Sequence, residues 1–480
     1  MTRRHRLGVS PALVLAGWAL AAPASGAEPL PDGLHATPSV YWKSGDHRVD
    51  LGLEVRFRQE AWSAFSEDTV WMNGTRTRVS ARYSWRDCIA LYAQFQDVRL
   101  HGMWPDSTGA ALLYRNANDG RDRAHGDALR QLYLDVRPTE STSLRAGRQD
   151  VRLGRQTSYP EPDWTYLKNA RVGERLVGTV GWSQVERSYD GFSGGLDQGE
   201  HSLYAFAVRP TTGVFDAETG YRDQEHIQLG GLAWTLKRGA GIDHTEVSLF
   251  GIGYEDDRPT DEGGLPKKVE LGTLGASIVG IYPVGPGKLD AMLWTAGQFG
   301  TYNGLDHRAA AVLAEVGYQL ADVLFQPWFR VGVNYASGDA DPGDGDHTTF
   351  FNLLPTNHQY YGFADQIALQ NIIDTFVQLR AQPFSMLTLN LFVHWFKLAN
   401  SNDAKYAGTG AYDKRVFGFT ATPSRGYAHV GTEYDVVATL QPHKAVTLEA
   451  GFAWLDGGSL YRHSPSRDLQ WGYASIELKY

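Results

Sequence analysis

The chain has 480 residues, with 54 acidic against 45 basic side chains, a formal net charge of −9 and 12% aromatic residues. An acidic balance argues against a nucleic-acid partner, which would need a positive face. One cysteine, Cys88, excludes an internal disulfide, and no Cys/His spacing suggests a zinc site, so no metal or other cofactor is expected.

At the N-terminus Arg3, Arg4 and Arg6 precede an apolar run from Leu7 to Ala22 and the small residues Ser25-Gly26-Ala27. That order predicts a secretory signal peptide over 1–27 and a mature chain over 28–480. Pro11 interrupts the run, which is short for a membrane anchor. Removing the three arginines takes the formal charge from −9 to −12. No later window is both long and free of charge, and the mean hydropathy is −0.35, so spanning helices are excluded. No Pro/Ser linker divides the mature chain, which reads as one architecture.

From residue 49 onward apolar and polar residues alternate at period two, the pattern of strands with two different faces. Val49, Leu51, Leu53, Val55 and Phe57 share one face of the first strand, and Asp50, Glu54, Arg56 and Arg58 share the other. Strands are predicted over 49–58, 75–85, 89–98, 128–137, 143–150, 185–194, 201–209, 225–236 and 244–254. They continue over 268–281, 288–300, 308–320, 325–336, 371–382, 386–397, 427–441, 445–455 and 469–480. A soluble sandwich also alternates, but most of these runs reach the roughly 9–11 residues a tilted strand needs to cross a bilayer.

Connections after even-numbered strands are short, such as Pro138–Thr142 and Pro442–Lys444, whereas 99–127, 151–184, 337–370 and 398–426 are long and polar. Short periplasmic turns and long external loops are the asymmetry of outer-membrane barrels. The last strand alternates to the terminal aromatic Tyr480, which resembles the assembly signal of such proteins. The expected fold is therefore all-β: a transmembrane antiparallel barrel of 18 strands in the bacterial outer membrane, with both termini in the periplasm. The Gly/Asp-rich stretch Ser337–Asp346 lacks the glutamate of a calcium loop and reads as an acidic external loop.

Three blocks carry a family resemblance: Leu144–Gln149, Glu186–Gly191 and Phe350–Asp365, the last with Leu-Pro-Thr, His, Tyr-Tyr-Gly and Asp in that order. They resemble the alginate-export family of outer-membrane barrels. The resemblance implies a monomeric barrel through which an anionic polysaccharide leaves the cell, with basic residues at the constriction. Arg145, Arg148, Arg187, Asp190, His358 and Asp365 stand in its motifs. The family's exporter has a long periplasmic loop where this chain has only Pro442-His443-Lys444, so gating by that loop is not expected.

A channel acts through bore, charge and affinity. Parity turns Arg56, Arg58, Arg76, Arg78, Arg82, Arg330 and Arg380 inward, because arginine on the lipid face costs roughly 2–4 kcal/mol at the midplane. They form an expected cationic track for carboxylates, unless inward Glu54, Asp135, Asp374, Glu433 and Asp435 merely pair with them. Trp62, Tyr83, Trp85, Trp395 and Trp471 read as interfacial girdles, with Trp328 and Phe392 turned inward. The leading function is export of an alginate-like polysaccharide; the alternative is an anion-selective or general porin taking in small solutes. His394 beside Asn390 has no evident serine nucleophile, so an outer-membrane hydrolase is the weakest reading and no enzyme is expected. Besides the cargo, expected partners are outer-membrane lipid, the barrel-assembly machinery and periplasmic secretion proteins.

Overall fold

The computed structural model describes residues 40–66, 68–107, 109–222, 226–259, 268–408 and 417–480. The leader expected over 1–27 lies outside these residues. Eighteen antiparallel strands close one barrel. They are β1 (His47–Ala64), β2 (Val70–Trp85), β3 (Ile89–His101), β4 (Arg123–Thr139), β5 (Thr142–Gln149), β6 (Tyr189–Gln198), β7 (His201–Pro210), β8 (Ile227–Leu236) and β9 (Thr245–Asp256). They continue as β10 (Val269–Val284), β11 (Gly287–Tyr302), β12 (Leu305–Gln319), β13 (Trp328–Ala336), β14 (Ile372–Phe384), β15 (Leu387–Lys397), β16 (His429–His443), β17 (Val446–Gly457) and β18 (Asp468–Lys479). Each predicted strand has its counterpart.

Closure joins β1 to β18, with Val55 opposite Leu478. The terminal residue extends that ladder: Leu53 donates its N–H to the Tyr480 carbonyl at 2.7 Å and receives the Tyr480 N–H at 2.7 Å. A closed ladder leaves no strand edge for lipid to meet. Along β1, Leu51, Leu53 and Phe57 are exposed outside while Asp50, Arg56, Arg58 and Glu60 are buried inside. An apolar outer face over a charged interior suits a bilayer and would be untenable in water.

Two strands begin three or more residues later than the alternation suggests. The one expected from 185 starts at Tyr189, because Glu186 adopts a left-handed φ of 64° and the Arg187 N–H turns back to the Thr179 carbonyl at 2.8 Å. The one expected from 325 starts at Trp328, after left-handed Phe325 and Gln326.

Turns 140–141, 199–200, 285–286, 385–386 and 444–445 lie at one end of the barrel, and segments 150–188, 337–371, 398–408 and 417–428 at the other. Both chain ends of the barrel sit at the short-turn end, since His47 faces Trp85 and Leu478 faces Val446. The expectation that 337–370 simply faces outward needs correction. Residues 340–346 are exposed, but Phe350, Phe351, Leu354, Tyr360 and Tyr361 are buried, as are Val151, Trp164, Leu167, Leu176 and Val185 of the 150–188 segment. These loops fold into the barrel because their apolar residues have a dry interior available there and none in water. An isolated bridge, Val177 to Leu354, ties the two long loops together, and helix α1 (Pro162–Leu167) leads into a short π-turn at Lys168–Val172. The lumen thus contains a plug.

Candidate functional site

All seven arginines expected to face the lumen stand at the inward-parity positions of their strands, and most of them meet a carboxylate. Arg58 pairs with Glu60 at 2.7 Å, Arg78 with Glu186 at 2.9 Å, Arg82 with Asp135 at 3.6 Å and Arg330 with Asp290 at 2.7 Å. Arg76 contacts both Glu54 and Glu186. Arg56 instead donates to the carbonyls of Gly181, Trp182 and Ser183, and Arg380 lies 4.9 Å from the Tyr166 ring centroid. A free cationic track along β1 and β2 is therefore not what these strands present: they hold the plug by its backbone and its acids. Of the inward acids, Glu54 and Asp135 pair with arginines, Asp374 bonds buried His394 at 3.0 Å, and Glu433 accepts the Ala364 N–H at 2.9 Å. Asp435 is buried beside them.

The plug answers the wall charge for charge. Arg171 makes a two-pronged bond to Glu315 at 2.6 and 2.8 Å, Lys168 reaches Glu246, and Arg187 donates to the carbonyls of Gly178 and Leu354. Such forked, buried contacts fix position as well as charge. Tyr360 donates to the Gly173 carbonyl at 2.6 Å, so the Phe350–Asp365 block braces the 150–188 segment. His358 bonds Asp365 at 2.9 Å and stacks on Trp182 with centroids 4.0 Å apart, while the Arg58 guanidinium covers the same indole at 3.7 Å. Burial would raise the Glu186 carboxyl, but Arg78, Arg130 and Arg76 outweigh it and hold it below the ordinary range. Glu174 is likewise held down against burial by Arg155 and Arg152, whereas burial pushes Asp365 up despite His358.

Beside the plug an open cavity of about 640 Å³ lies between the inner wall of β4–β7 and residues 150–169. Arg137, Arg145, Arg152, Arg155, Lys168 and Lys237 line it together with Asp135, Glu140, Asp150 and Asp197. Tyr133, Tyr159 and Tyr204 add aromatic surface. Arg145 packs over the Tyr133 ring at 4.2 Å while pairing with Asp135 at 3.2 Å. Among the arginines expected from β1, β2, β13 and β14 none lines this space; Arg145 alone comes from the motif set. Arg152, Arg155 and Lys168 were missed because they sit on a loop without periodicity, although the loop's density of arginines was a visible signal.

The remaining motif residues divide. Arg148 and Asp190 face outward and form a forked pair at 2.8 and 2.7 Å, stapling β5 to β6 on the outer surface. Arg187, His358 and Asp365 belong to the plug. Trp62 and Trp471 are corrected from girdle to lumen: both are 2% exposed, and Trp62 shares the parity of Arg58. Tyr83 and Trp395 are exposed outside as expected, and Trp328 and Phe392 are buried inside. Among the described residues no group of three or more His, Cys, Asp or Glu is placed to hold a metal ion.

Solved structures share this fold at low identity. OccK9 (OpdG) of Pseudomonas aeruginosa superposes with a TM-score of 0.58 at 11% identity, covering 90% of this chain and 98% of that one. OpdK of the same organism, solved with vanillate, gives 0.57 at 11% over 90% and 98%, and OccK2 (OpdF) in complex with glucuronate gives 0.54 at 10% over 90% and 96%. Direct comparison with curated protein sequences finds no match. Residues 47–471 match the alginate export family. Because that match runs from the first barrel strand into the last, the chain belongs to the alginate export family, and its barrel is an outer-membrane channel.

Proposed function

We propose that the barrel conducts carboxylated saccharides and that its cargo is an alginate-like polysaccharide leaving the cell. The observation carrying this reading is the open cavity in which six cationic side chains meet four carboxylates. A guanidinium fork can hold a sugar carboxylate by two hydrogen bonds, and tyrosine rings offer faces for pyranose rings. Repeated weak contacts of this kind let a polymer move without being trapped. In this reading the leader over 1–27 is removed on export, the short turns and both termini face the periplasm, and no bond chemistry is performed.

Uptake of small anionic solutes is the second reading. It draws on the plug, which leaves room for a small molecule and must be displaced for a chain, and on the vanillate and glucuronate of the two Pseudomonas structures. Planar-bilayer recording separates the readings. Export predicts anion selectivity and long block events with oligouronates, both weakened when Arg145, Arg152 and Arg155 are replaced by Gln. Brief block by monomeric uronate alone favours uptake, and cation preference in the parent channel refutes both.

A further inference from the structure

At the long-loop end two histidines meet. His307, near the start of β12, is 1% exposed, and His347 stands opposite it in the two-residue strand Asp346–His347, which runs parallel to β12. Their Nδ1 atoms lie 2.8 Å apart and their rings stack with centroids 5.0 Å apart. Tyr302 of β11 lies flat on His347 at 3.9 Å between centroids, and its ring also meets Phe351 of the plug and Phe417. The Gln298 amide accepts the Phe351 N–H and donates to the Phe351 carbonyl, both at 2.8 Å. Its oxygen also faces His307 Nε2 at 3.4 Å. That oxygen can only accept, so Nε2 carries the hydrogen and His307 Nδ1 receives the His347 Nδ1–H. The pair thus ties the loop over 338–349 to the wall beside the start of the Phe350–Asp365 block.

This arrangement suits two neutral rings. A proton on His307 Nδ1 would set two N–H donors against each other, and among the described residues neither imidazole has a carboxylate partner to balance a charge. Asp306 and Arg308 flank His307 on the outer face and are exposed, which also places this rung outside the apolar band. Asp344 and Asp346 of the loop are exposed. Buried Asp339 accepts from the Asp341 and Thr348 N–H groups. Asp403 of the 398–408 segment accepts from the Asp339 N–H and the Tyr406 hydroxyl, each at 3.0 Å. From β11 only Tyr302 and Gln298 face the pair. Burial pushes His307 down to about 4, and burial with the neighbouring ring pushes His347 down to about 3. A released ring returns to its ordinary 6.5. Between 6.5 and about 4 the released loop therefore binds protons that the held loop does not, and the held state weakens as pH falls. We infer that His307 and His347 form an acid-released latch: neutral, they hold the 338–349 loop on β12 against the plug, and protonated, they let it go.

Hydrogen exchange over residues 346–351 of the full barrel in detergent, corrected for the intrinsic rate, tests the latch between pH 6 and pH 5, where ordinary carboxylates stay ionised. Each imidazole that gains a proton on release lowers protection by up to roughly tenfold per pH unit. The expected result is a fall of roughly fiftyfold in the parent and roughly sevenfold in His347→Phe, which keeps a ring on Tyr302 but leaves one imidazole to titrate. His347→Lys, with a fixed charge opposite His307, is poorly protected already at pH 7. Both substitutions lie in a loop rather than a barrel strand, and the folded band on a gel reports that the barrel has formed. Constant protection in the parent, an equal fall in His347→Phe, or full protection of His347→Lys at pH 7 overturns the assignment.

Discussion

Glu186 of the plug and Arg76 of β2 meet at 2.7 Å, both nearly sealed from solvent, so a loop carboxylate completes the charge balance of the barrel wall. Arg130 of β4 approaches the other oxygen of Glu186 at 2.6 Å. Plug and wall are therefore one electrostatic unit.

Glu186→Gln should loosen the plug. Removing one partner from a buried ionic cluster costs about 3–5 kcal/mol, because the guanidiniums left behind lose their counter-charge. The expected outcome is a lower unfolding midpoint in detergent and a larger single-channel conductance. Unchanged values in both measurements would mean that other contacts hold the loop.

Glu315 and Arg171 should respond unequally to mutation. Arg171, Arg175 and Arg330 all reach Glu315, at 2.6, 3.3 and 3.5 Å. Arg171→Met leaves Glu315 with two partners, whereas Glu315→Gln leaves three buried guanidiniums with one fewer acid. A larger loss of stability in Glu315→Gln, read by urea titration of the folded band on a gel, is expected. The reverse order contradicts this account of plug anchoring.

Lys405 supplies a pH dependence in the 398–428 loop. Burial pushes its ammonium down to about 8, and its Nζ donates to the Gln366 carbonyl at 3.0 Å. The folded state then binds fewer protons than the unfolded between about 8 and the ordinary 10.5. Stability contributed by this site therefore rises with pH across that window and is least below it. Hydrogen exchange at Ala404–Tyr406 should slow from pH 8 to pH 10 after correction for the intrinsic rate, and Lys405→Met should remove the trend. A flat corrected profile in the parent protein counts against it.

Labelling of intact cells tests the orientation. With Cys88→Ser as background, Asp344→Cys in the exposed tip of the long loop should react with an impermeant maleimide, and Glu140→Cys in a short turn should react only after lysis. The opposite pattern inverts the barrel in the membrane.

Alternation along the chain determined the eighteen strands, their inward and outward faces and the closed all-β architecture, because strand geometry allows only two side-chain directions and lipid tolerates neither an open strand edge nor charge at the middle of the outer face. The parity of Arg58 also contained the inward position of Trp62, which reading by residue type alone assigns to a girdle. Partnership was another matter. Arg76 and Glu186 are separated by 110 positions, and the acids that neutralise β1 and β2 come partly from a loop with no period. Three-dimensional folding decided that the long loops enter the barrel, that Arg148 and Asp190 staple its outside, and that the open basic cavity lies beside β4–β7. Those outcomes depend on burying loop side chains and matching charges across the lumen, which local pattern does not encode.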